Sequence, residues 1–96
     1  MLYRPETDEV IWLKTGPWLH QHDVNFVDAN IYSIFGNDSF GHETNTKLSY
    51  GASSQVYLFN SATNKVSTPY AAILESVKMR SRTEGRCRIL PNGDVF

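Results

Sequence analysis

The chain has 96 residues, 41% of them hydrophobic and 20% charged, an ordinary globular composition that excludes the polar, highly charged signature of disorder. It is short enough that division would leave neither half a core, so residues 1–96 are expected to form one domain, with residues 1–6 as an arm. The net charge of −1 hides a division, −5 over residues 1–46 and +4 over residues 47–96, which matters to partners only if folding keeps the two signs apart.

In chain order, Glu9–Lys14 reads as a strand around Val10-Ile11-Trp12-Leu13, stopped by Gly16-Pro17. A helix is predicted over residues 26–35. Asn25 serves as its cap, Phe26, Val27, Ile31, Ile34 and Phe35 form its apolar stripe, and Gly36 lies at its end. Residues 36–46 have loop composition. Lys47–Tyr50 and Gln55–Asn60 are then expected to pair as a hairpin, and the unbroken apolar run Val56-Tyr57-Leu58-Phe59 marks a strand covered on both faces or used for contact.

A polar connection with a turn at Asn64 leads to a second predicted helix. Thr68 is its cap, Pro69 its first residue, and Tyr70, Ile73, Leu74 and Val77 fall at helical spacing. Lys78, Arg80 and Arg82 would then suit its C-terminal dipole, although Val77 and Met79 also alternate with basic residues as a strand would. Arg86–Leu90 reads as a last strand before the Pro91-Asn92-Gly93-Asp94 turn, which can fold Val95 and Phe96 back. The resulting order predicts an α+β fold of the split βαββαβ, ferredoxin-like kind, two helices on an antiparallel sheet.

Chemistry is sparse in this sequence. His20, His22 and His42, with Asp23, are the only grouping that resembles a metal site, but they lack a recognised ligand spacing, and the expected number of bound metals is none. No nucleophile turn and no glycine-rich phosphate loop occurs, so no catalytic residue, no cofactor and no enzymatic activity is expected. The lone Cys87, between Arg86 and Arg88, reads as a small apolar residue of a short strand. With the first residues lacking a basic-then-apolar leader, and no apolar run near the ~20 residues of a bilayer helix, a cytoplasmic location away from membranes is expected.

The leading expectation is a non-enzymatic protein-binding module, an inhibitor, adaptor or accessory subunit, with Trp18, Tyr57 and Phe59 as interface anchors. A second copy of the chain is an expected partner, because small domains gain core by self-association. The alternative is nucleic-acid binding through Lys78, Arg80, Arg82, Arg86 and Arg88, with Tyr50, Tyr57 or Phe59 stacking on unpaired bases. A small metal-dependent hydrolase centred on the histidines stands third.

Overall fold

The computed structural model describes residues 1–40, 47–48 and 53–96. Along the chain run β1 (Leu2–Arg4), β2 (Glu9–Trp12), β3 (Gln21–Asp28), β4 (Ile31–Gly36), β5 (Ser39–Phe40), β6 (Lys47–Leu48), β7 (Gln55–Asn60), β8 (Lys65–Ser67) and one six-residue helix, α1 (Ala71–Ser76). The centre is a four-stranded antiparallel sheet in the order β3-β4-β7-β8, flanked by the two-stranded pairs β1-β2 and β5-β6. The α+β ferredoxin-like expectation is therefore corrected to a mostly β architecture.

The correction begins at residues 26–35, which form a β-hairpin instead of a helix. Asp28, expected inside the first helical turn, makes the tight bend: its carboxylate accepts the Ala29 N–H at 2.8 Å, and Ile31 pairs back with Asp28. The apolar residues taken for a helical stripe belong to two adjacent strands whose faces happen to fall at that spacing. Gln55–Asn60 is a strand as expected, but its neighbours are β4 and β8. Lys47–Leu48 instead pairs with Ser39–Phe40, and Tyr50 lies outside the described residues. Asn60 turns the chain into β8 by accepting the N–H groups of Ala62 and Thr63 through Oδ1, with Asn64 in the left-handed region at φ 56°.

The second predicted helix is also cut short. Ala71–Ser76 carries no side-chain cap, and the left-handed Lys78, at φ 53°, turns the chain out of it. From there the backbone runs irregularly along the sheet, tied by Ser54 N to Met79 O at 2.9 Å and by Ser81 N to Ser54 Oγ at 2.9 Å. Beyond Leu90 the proline turn folds the end of the chain back, with Arg88 and Phe96 exchanging backbone hydrogen bonds of 2.8 and 2.9 Å.

Both faces of the central sheet are covered, which is why Val56–Phe59 shows no polar alternation. On one face Ile34 and Tyr57 lie side by side, as do Tyr32 and Phe59. Trp18 stacks edge-on against Tyr57 with centroids 5.7 Å apart, and Trp12 against Tyr32 and Phe59 at 5.1 and 5.2 Å. Such aromatic pairs add about 0.5–1.5 kcal/mol each beyond area burial. The β1-β2 hairpin is thereby anchored to the sheet through Trp12. On the other face Phe35, Val56 and Cys87 form a second core against Tyr70 and Leu74.

Trp18 is held in place by the backbone that follows it. Asp38, fully buried, accepts the Leu19 N–H at 2.9 Å through Oδ1 and the Tyr57 hydroxyl at 2.6 Å through Oδ2. Its own N–H donates to Leu19 O at 3.1 Å. A buried carboxylate needs such partners to offset its desolvation. These bonds staple residues 19–20 to the end of β4.

Candidate functional site

On the second face of the sheet, strand β3 presents Asp23 and Asn25 toward the strip Glu84–Arg88. Two hydrogen bonds join them, Cys87 N–H to Asp23 Oδ2 at 3.1 Å and Asn25 Nδ2 to Cys87 O at 3.0 Å, and within β3 Asn25 Nδ2 also donates to Asp23 Oδ2 at 2.7 Å. One strand's side chains thus satisfy both backbone groups of Cys87, where a ladder would have used its main chain. The thiol of Cys87 turns inward onto Phe35 and Val56. Burial pushes that thiol up from its ordinary pKa, the Ser33 hydroxyl pulls the other way, and the Asp23 charge adds to the rise. Arg86 and Arg88 do not activate it, and Cys87 is a packing residue.

Because Cys87 points inward, its neighbours Arg86 and Arg88 are exposed. His22, Asp23, Glu84, Gly85 and Arg86 line a cleft of about 730 Å³. A smaller recess of about 270 Å³, lined by Asp23, Arg86, Cys87, Arg88 and Phe96, shares Asp23 and Arg86 with it. The cleft therefore holds an imidazole, a guanidinium and two carboxylates. An imidazole can take or give a proton near neutral pH, and a guanidinium fork can grip two oxygens of an anion.

Asp23 is the hinge pin of this arrangement. Asp23→Ala should orphan the Cys87 N–H and one donor bond of Asn25, and lower stability by roughly 1–3 kcal/mol, the range for hydrogen bonds to a charged acceptor. A urea titration, read together with the rate at which Cys87 is alkylated, checks this: an unchanged midpoint and a still-protected thiol would show that the strip is held by packing alone.

The expected site residues fall elsewhere than supposed. Trp18, Tyr57 and Phe59 are each under a tenth exposed and form the core, so they present no interface. Of the histidines, His22 lines the cleft, while His20, left-handed at φ 46°, is followed by a register shift between Gln21 and Val24 that breaks the alternation expected to align the two. His42 lies outside the described residues, among which no group of three or more His, Cys, Asp or Glu side chains is placed to hold a metal. Lys78, Arg80 and Arg82 sit on the irregular segment after α1, not on a helix end, and Arg86 and Arg88 border the cleft. An acidic residue of the first half and a basic residue of the second meet there, Asp23 and Arg86 lining the same cleft.

Asp23 was legible only beside the histidines as a metal candidate, and nothing local marked Glu84 or Gly85 as part of a site. Their roles rest on contacts about sixty residues apart in sequence, as in the Asp23–Cys87 bond, which local pattern does not report. No helix among the described residues is long and apolar enough to cross a membrane.

No curated protein and no solved structure matches the chain. A family model described as Arylsulfotransferase (ASST) matches residues 1–96. That family is one of enzymes, which overturns the expectation of a non-enzymatic chain. Since the match runs from the first residue to the last, this chain belongs to the arylsulfotransferase (ASST) family.

Proposed function

We propose that the chain serves sulfuryl transfer between aryl oxygens, with the cleft between β3 and Glu84–Arg88 as its site. The observation that carries this reading is the meeting of His22 and Arg86 in one cleft, in a chain that matches the family over its whole length. In the proposed reaction the sulfur–oxygen bond of an aryl sulfate breaks and a new one forms to the hydroxyl oxygen of a second phenol. The acceptor's proton passes to the His22 imidazole and on to the departing phenolate, so atoms and charge balance. Arg86 holds two of the sulfuryl oxygens, which carry negative charge throughout the transfer. Asp23 keeps Arg86 in register by fixing Cys87 next to it.

His22→Gln keeps a polar side chain but removes the nitrogen that takes the acceptor's proton. Its turnover should fall by about 10²–10⁴-fold, the usual worth of a general base. Steady-state rates with a chromogenic aryl sulfate and a phenol acceptor read this. An unaltered turnover would remove His22 from the chemistry.

A further inference from the structure

We infer that the smaller recess, lined by Asp23, Arg86, Cys87, Arg88 and Phe96, binds a phenol ring that bears a carboxylate, and that in the transfer proposed above this ring is the donor's. Cys87 turns inward, so Arg86 and Arg88 share the outward face on either side of it. Arg88 and Phe96 exchange both backbone hydrogen bonds, at 2.8 and 2.9 Å. Residues opposed in this way project their side chains to one side of the ladder, with Cβ atoms about 4.5–5.5 Å apart. The bridge between Ile89 and Val95 holds the pairing in place. The recess therefore brings a phenyl ring and a guanidinium together at its rim.

Charge decides what the recess takes. In the main cleft Arg86 stands among two carboxylates, Asp23 and Glu84, whereas the recess sets two guanidinium groups, Arg86 and Arg88, against Asp23 alone. Asp23 Oδ2 is already taken, accepting from the Cys87 N–H and from Asn25. No carboxylate among the described residues lies within ion-pair distance of Arg88, so its fork is open to an incoming one. At about 270 Å³ the recess is smaller than the ~300–1,000 Å³ of sites for drug-sized ligands, which suits one substituted ring, and Phe96 offers that ring an aromatic neighbour. Arg86 borders both spaces, so a sulfuryl group held there sends its aryl ring into the recess, while the acceptor, whose proton His22 takes, approaches from the cleft. Alternate residues of an extended stretch are about 6–7 Å apart, the reach of a ring between its para substituents, so a carboxylate para to the sulfate ester meets Arg88. Assigning the ring to the donor rests on the sulfuryl-transfer reading; the preference for a carboxylate does not.

The donors to compare are para-sulfooxyphenylacetate and its primary amide, whose methylene spacer keeps the two leaving phenols alike in acidity. With one neutral phenol as acceptor, kcat/KM should favour the acid by about 10–100-fold, the worth of a hydrogen bond to a charged group. Arg88→Gln should bring the two donors to near parity, and Arg88→Lys should restore part of the preference. Titration calorimetry with the product acid, para-hydroxyphenylacetate, against its amide reads the same preference without turnover. Equal kcat/KM for the two donors with the unaltered chain, a preference that survives Arg88→Gln, or acid and amide binding alike would overturn the inference. Sulfated acceptor formed from neither donor, with Arg88-dependent binding of the acid retained, would sink the transfer reading and leave the recess as a site for an anionic phenol.

Discussion

Gly85→Ala is expected to destabilise the fold by about 1–3 kcal/mol, the cost of overpacking a well-filled core. A Cβ at this position would stand inside the van der Waals envelope of the Phe35 ring, against its Cδ1, Cε1 and Cζ atoms. Phe35 is only 2% exposed and is fixed between Val56 and Cys87, so the ring has nowhere to turn. The strip must lift instead. Lifting it pulls Cys87 from the second core and stretches its bond to Asp23, so loss of packing and loss of a charged hydrogen bond occur together. Urea unfolding should show a lower midpoint at unchanged slope, and Cys87 should become reactive toward thiol reagents well before global unfolding. An unaltered midpoint would mean that the strip does not lie on Phe35. The same change should impair the cleft, since Gly85 and Arg86 both line it.

Arg86→Ala should leave stability nearly untouched and remove about 10²–10³-fold of turnover, the usual worth of one donor aimed at a charged transition state. The side chain is exposed and anchors no core, so a thermal melt should not move by more than the effect of an ordinary surface change. Arg86→Lys keeps the charge but not the planar fork, and should recover only part of the rate. Arg88 borders the neighbouring recess, not the main cleft, and Arg88→Ala supplies the contrast: the same loss of one positive charge, with a smaller effect. Equal losses from the two substitutions would point to a general field and not to a grip on the sulfuryl group.

What the sequence tells about this fold depends on how local each determinant is. Glu9–Trp12 and Gln55–Asn60 are legible as strands because β-branched and aromatic residues crowd there, and Pro91–Asp94 is legible as a turn from its own chemistry. Residues 26–35 mislead because Phe26, Val27, Ile31, Ile34 and Phe35 match a helical period while being split by a two-residue bend. The decisive signal was Asp28-Ala29-Asn30, whose turn chemistry outweighs Asp28 as a helix-start residue. In Ala71–Ser76 the start of a helix is present, but it ends at Ser76, and neither a longer helix nor the strand that the alternation of Val77 and Met79 with basic residues suggested forms beyond it.

The site was harder to read, for a physical reason. His22 and Arg86 are both visible in the sequence as chemistry-bearing residues, yet nothing local says that they share a cleft. That follows from Asp23 and Asn25 capturing the backbone of Cys87, and from Gly85 fitting over Phe35. The aromatic residues proposed as an interface were misplaced for the converse reason. Trp18 follows Gly-Pro and resembles a loop residue, but Asp38 draws residues 19–20 against the sheet and buries it. Exposed apolar side chains lie elsewhere, Val24 and Phe26 on β3 among them.

The most direct measurement is transfer itself: incubate the protein with an aryl sulfate and a second, distinguishable phenol, and follow all four species by mass spectrometry. The account predicts that sulfated acceptor appears in step with the freed donor phenol, and that Arg86→Ala and His22→Gln suppress both together. A donor that stays intact, or one cleaved only to inorganic sulfate with no sulfated acceptor, would contradict it.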